Sequence, residues 1–114
     1  MQLDFTNLRK ITNGDSLLES ELFGIFIETA QECIQFMRES LKKNDENLWR
    51  TQAHVLKGVS FSIGANDLGT LCKLAQENYG LPKEVKQPML RAIEDSYAEV
   101  KRHMQSHLPQ QSMV

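Results

Sequence analysis

Ser16–Lys43 reads SLLESELFGIFIETAQECIQFMRESLKK, and its apolar residues return at the spacing of one helix face. Leu22, Phe26, Cys33 and Met37 follow one another at fours and sevens, with Phe23, Ile27, Ala30, Ile34 and Leu41 beside them. A stripe of that width and period belongs to a helix packed on more than one neighbour. Ser16-Leu17-Leu18-Glu19 has the S-x-x-E form of a capping box. In such a box a hydroxyl and a carboxylate satisfy the free backbone N–H groups of a helix start, so Ser16 is expected to cap this one.

Upstream, a short helix is expected from about Phe5 to Thr12, closed by the turn-forming Asn13-Gly14. Downstream, Asn44-Asp45 breaks the pattern and can cap a helix from Glu46 to about Ile63, which Gly64 ends. Asn66 or Asp67 can start the next, carrying Leu68, Leu71, Cys72, Ala75 and Tyr79, and Gly80-Leu81-Pro82 breaks the chain again. The last helix shows Leu90, Ile93, Tyr97, Val100, Met104 and Leu108 at threes and fours, a bundle seam. Pro88 belongs in or near its first turn, since proline inside a helix costs about 3 kcal/mol, which puts the start near Gln87. There is no alternating strand pattern and no internal repeat. The expected fold is all-α: an antiparallel four-helix bundle with a short additional N-terminal helix. The bundle should span residues 1–108, with 109–114 a flexible tail.

The chain has 114 residues, 40% of them hydrophobic and 25% charged, and a formal charge of −2. That supplies one core, with no large basic field for nucleic acid or an anionic membrane. No apolar run approaches the ~20 residues of a membrane span, and the start lacks a secretory layout. Cys33 and Cys72 fall on apolar stripes and are expected as reduced core residues, which places the chain in the cytoplasm.

The third helix carries the chemistry. With a step of about 100° per residue, Leu48, Val55, Leu56, Val59 and Ile63 gather on one side, with Trp49 at its edge. His54 falls almost opposite, alongside Arg50, Lys57, Gly58 and Phe61. A glycine inside a helix costs about 0.8–1.0 kcal/mol relative to alanine and asks for a reason. At i+4 from His54 the reason can be access, because any side chain there would crowd the imidazole. Lys57 at i+3 adds a cation near an oxyanion carried on the ring. A plain surface histidine beside a packing notch is the competing reading.

Ala53-His54-Val55-Leu56-Lys57-Gly58-Val59-Ser60-Phe61-Ser62-Ile63-Gly64-Ala65 resembles the A-H-x-L-K-G-x-S-x-x-x-G-A signature of histidine-containing phosphotransfer (HPt) domains. The resemblance extends over about residues 3 to 105. It implies that His54 is the phosphorylated residue, that Lys57 supports the phosphoryl group and that Gly58 keeps the ring open. It also implies that Gln76, at the matching spacing on the next helix, holds the imidazole. Val59 and Phe61 stand where small residues are common in the family. Phe61 can serve as a partner contact or tuck against an adjacent helix.

The expected function is that of a phosphocarrier without catalysis of its own. His54 takes a phosphoryl group from the aspartyl phosphate of a receiver domain and passes it to another receiver, the partners being response-regulator receiver domains, a hybrid sensor histidine kinase, or both. Lys57, with Arg50 and Lys73 as weaker candidates, would neutralise charge. The chain is expected to need no cofactor, Mg²⁺ coming with the receiver, and to be a monomer. Partner docking is expected at Arg50 and Phe61 on the third helix and at Phe23 and Ile27 on the second. The alternative is a helical-bundle adaptor that binds a receiver or kinase without phosphate transfer. Two rival chemistries are weaker. Gly64–Thr70 is a near miss to a phosphate-binding loop without its lysine. His103 and His107 are two ligands with no partner to close a zinc site.

Overall fold

The computed structural model describes residues 3–107, the side chain of His107 excepted. It holds helices α1 (Thr6–Thr12), α2 (Ser16–Lys43), α3 (Glu46–Ser62), α4 (Asn66–Glu77) and α5 (Lys83–His107). α3 packs between α2 and α4, α5 closes the bundle against α2 and α4, and α1 lies on α2. This is the antiparallel four-helix bundle with an added N-terminal helix. The expected tail, 109–114, and the seam residue Leu108 lie outside the described residues.

Local chemistry sets the breaks. Asn13 and Asn44 close α1 and α2 in the left-handed conformation, at φ 54° and 53°, which asparagine tolerates better than most residues. Asp45 accepts a hydrogen bond from the Leu48 N–H at 3.0 Å and so caps α3. At α2 the expected cap shifts by one residue. Asp15, not Ser16, accepts from the N–H groups of Leu17 and Leu18, at 3.0 and 3.2 Å. A carboxylate at a helix N-terminus also meets the positive end of the dipole, which favours it over a hydroxyl. Glu19, freed from a capping box, accepts from the Thr12 hydroxyl at 3.3 Å and ties α1 to α2.

Gly64 ends α3 at φ +86°, and a Cβ there would collide with the Asp4 carbonyl. The close approach is a backbone link: the Asp4 N–H donates to the Gly64 carbonyl at 2.9 Å, beside an isolated bridge between Leu3 and Ala65. The N-terminal segment is thereby fastened to the α3–α4 turn, and the Phe5 ring lies 5.1 Å from that of Phe23.

The last helix corrects the sequence reading. α5 begins at Lys83, and Pro88 lies inside it. The Pro82 carbonyl opens the helix by accepting from the N–H groups of Val85 and Lys86, at 3.0 and 3.1 Å. Pro88 gives up its bond to Glu84 where both residues are exposed, so water can serve the freed carbonyl. The turn before it is held by tertiary contacts. Lys86 is buried, its Nζ donates to the Tyr79 carbonyl at 2.8 Å and it lies 5.1 Å from the Trp49 ring centre. A cation just past the end of α4 is favoured by that helix's dipole.

The buried face of α3 is Trp49, Ala53, Leu56 and Ser60, with Ile63 following the helix end. Trp49 is therefore the centre of that face rather than its edge, and Val55 is 39% exposed rather than in the core. Ala53 and Ser60 explain the rotation. Small side chains let neighbouring helices approach closely, but a wheel weighted by bulky apolar residues overlooks them.

Cys33 and Cys72 are free and buried. Burial pushes the Cys33 thiol up to about 11 and the Cys72 thiol up to about 12, so both are protonated core groups at neutral pH. Among the described residues no helix is long and apolar enough to cross a membrane.

Candidate functional site

The α3–α4 register is fixed by the one tryptophan. Trp49 is fully buried, and its indole Nε1–H donates to the Ala75 carbonyl at 2.8 Å. α4 ends at Glu77, so this carbonyl belongs to the last turn and is free to accept from outside the helix. The residue after Ala75 is Gln76, and five residues beyond Trp49 is His54. The buried indole bond thus sets beside each other the two side chains that meet at the surface. Gln76 Nε2 lies 3.2 Å from His54 Nδ1.

His54 is exposed, and so are Arg50 and Gly58 on the turns to either side. A Cβ built on Gly58 meets nothing within 4 Å. This glycine is therefore no packing notch, and the space it leaves opens onto solvent. Lys57 is half-buried, and among the described residues it makes no ion pair. Gln76 is half-buried too, and its Oε1 is shielded and has no hydrogen-bond partner among the described residues.

A hollow of about 300 Å³ adjoins the imidazole, lined by Asn47, Arg50, Thr51, His54 and Gln76. The Arg50 guanidinium carbon sits 4.9 Å from the Tyr79 ring centre. Asn47, Thr51 and Tyr79 were not anticipated from the sequence. The spacing of Asn47 and Thr51, seven and three residues before His54, was the available signal. Lys73 is exposed on α4 and does not line the hollow.

Phe61 tucks against the adjacent helix while keeping part of its ring exposed. It is 43% exposed, yet its ring rests on Gly69 of α4, where an added Cβ would lie 2.8 Å from three of its ring carbons. On α2 one expected docking residue needs correction. Phe23 is buried, 1% exposed, and engaged with Phe5, so it offers no face to a partner. Ile27 is half-buried against the core. The exposed apolar residues of α2 are instead Leu17, Leu18, Ile25 and Phe36. The stripe on α2 is wide because three helices cover it, and width alone does not say which edge stays bare.

Gly64–Thr70 forms the α3–α4 turn and the start of α4, without the strand a phosphate-binding loop follows. Among the described residues no group of three or more His, Cys, Asp or Glu is placed to hold a metal ion.

Comparison with known proteins gives a consistent picture. The family model described as "Hpt domain" matches residues 21–106. The crystal structure of histidine-containing phosphotransfer protein B from Pseudomonas aeruginosa PAO1 superposes with a TM-score of 0.82 at 22% identity, covering 92% of each chain. The HPT domain of the Hpt sensor hybrid histidine kinase from Shewanella superposes with a TM-score of 0.76 at 21% identity, covering 97% of each chain. A search of the curated proteins found no match.

Proposed function

This chain belongs to the Hpt domain family, and from that premise we propose how it works as the phosphocarrier of a two-component phosphorelay. His54 accepts a phosphoryl group from the aspartyl phosphate of a receiver domain and returns it to the aspartate of another. The observation that carries this reading is an exposed imidazole with its Nδ1 against the Gln76 amide and open space over Gly58.

The attacking atom is Nε2, which needs a lone pair, so the reactive tautomer carries its proton on Nδ1. An amide can serve the ring in either state. Gln76 Nε2 donates to a bare Nδ1, and with the amide turned over, Oε1 accepts from Nδ1–H. In the transfer the P–O bond to the receiver aspartate breaks as the P–N bond to His54 Nε2 forms, leaving the carboxylate free. The step demands alignment and charge neutralisation more than acid-base catalysis. Lys57 supplies a cation that no carboxylate among the described residues pairs with, and the divalent ion comes with the receiver.

The receiver docks over the exposed surface of α3, with Phe61 and Arg50, and over the adjoining edge of α2. Arg38 marks the edge of α2 that faces α5, since its Nε meets Glu94 at 2.7 Å. At about 100° per residue Ile25 and Phe36 point away from that edge, and both are exposed. A shallow patch of this kind suits a transient interface, about 1,200 Å² or less in total. Titration with a receiver should shift the backbone amides of residues 50–62 and the adjoining flank of α2. Phe61→Ala should weaken binding while transfer remains chemically competent. Shifts centred on α5 would refute this docking surface, and binding without any transfer would favour the adaptor reading.

A further inference from the structure

The hollow beside His54 is lined by an amide, a guanidinium, a hydroxyl, the imidazole and a second amide, with no carboxylate among them. Every one of these groups can donate a hydrogen bond, which is the lining an oxyanion requires. Side chains on a helix lean toward its N-terminus, so a group carried on the imidazole lies over the turn that holds Arg50 and Thr51. Lys57 reaches the same group from the other side, leaning back from i+3.

Arg50 is held in waiting. Its guanidinium lies over the Tyr79 ring at 4.9 Å, and among the described residues it has neither an ion pair nor a hydrogen bond. An aromatic face restrains a guanidinium without using up its N–H donors as a carboxylate would. Arg38, by contrast, is spent on Glu94 and Gln35, at 2.7 and 3.1 Å. Tyr79 follows the Ala75–Gln76 pair on α4 and is tied through its carbonyl to the buried Lys86. The aromatic rest is therefore anchored to the same α3–α4–α5 junction that sets Gln76 against His54.

We propose that Arg50, positioned by Tyr79, closes on the phosphoryl group of phosphorylated His54 from the N-terminal side of the hollow, opposite Lys57. Two cations then flank the phosphoryl oxygens, one per helix turn. Arg50 sets how strongly the carrier holds its cargo and so biases the transfer equilibrium. This rests on His54 being the acceptor, and the test separates the two claims.

The protein is labelled with phosphoramidate, a small donor that needs no receiver. Its P–N bond breaks, a P–N bond forms at His54 Nε2, and the nitrogen leaves as ammonia after protonation. The lifetime of the label is measured, then its partition with a receiver, in the wild type, Arg50→Gln, Arg50→Lys, Tyr79→Leu and the Arg50→Gln/Tyr79→Leu double variant. Arg50→Gln should shift the partition toward the receiver by roughly tenfold, the scale of one lost charge-assisted hydrogen bond. Arg50→Lys should recover most of that. Tyr79→Leu should shift the partition a few-fold alone and add nothing in the Arg50→Gln background, as coupled residues do. The Arg50 side-chain Nε resonance should move when wild-type His54 is labelled. Labelling with an unmoved Arg50 resonance and an unchanged partition in Arg50→Gln would overturn the role of Arg50. An equal Tyr79→Leu effect with and without Arg50 would overturn that of Tyr79. Failure of the wild type to take label at His54 would overturn the acceptor assignment itself.

Discussion

Replacing His54 by glutamine is expected to abolish phosphate acceptance and leave the bundle intact. The imidazole projects from α3 into solvent and meets the Gln76 amide at the surface. Substitutions at such positions change stability by about 0.5 kcal/mol or less. Far-UV circular dichroism and the thermal midpoint should therefore match the wild type while labelling by a phosphorylated receiver falls to background. Full labelling of the variant would remove His54 from its role. A large drop in the midpoint would mean that the ring supports the fold.

Gly58→Gln carries the second large effect, and its two consequences have opposite signs. The added side chain occupies the opening one turn beyond His54, where a Cβ meets no side chain or neighbouring helix within 4 Å. Transfer between Nε2 and a receiver aspartate needs the two backbones close, so the rate should fall by roughly tenfold or more, about 1.4 kcal/mol in the barrier. Stability should rise by up to about 0.5 kcal/mol, because glycine is a poor helix former and nothing has to move aside. Single-turnover transfer and denaturant unfolding read the two effects separately. Unchanged transfer would end the access argument.

How far the sequence carried each feature depends on the kind of interaction behind it. The helices of the bundle were legible because amphipathic period and break residues are local properties. Asn44-Asp45 and Gly64 end and begin helices through their own backbone conformation and side-chain oxygens. The start of α5 was not legible, since Pro88 argues locally against a helix that Lys86 secures through Tyr79 and Trp49. The buried face of α3 lies a fraction of a turn from the hydropathy stripe because Ala53 and Ser60 weigh little on a wheel yet are as fully buried as Trp49 and Leu56.

At the site the same division holds. His54, Lys57 and Gly58 stand on consecutive turns of one helix, so their spacing alone places them together. Gln76 is legible only through the family pattern. What brings it to His54 is the Trp49 bond to Ala75, a contact between residues 26 apart in sequence. The hollow and the Arg50–Tyr79 contact depend on that same register and have no local signature. Hydrophobicity on α2 does not reveal that the Phe5 ring covers Phe23.

The central claim is that this protein carries phosphate on the imidazole of His54, and the bond itself can be interrogated. The wild-type protein is mixed with phosphorylated receiver domains, isolated, and the bound phosphate is challenged with acid and with base before the modified peptide is sequenced by mass spectrometry. A phosphoramidate at His54 is lost in acid, survives base, and returns to an unphosphorylated receiver. Phosphate that survives acid, that maps to another residue, or that never leaves the receivers that bind this chain would contradict the claim.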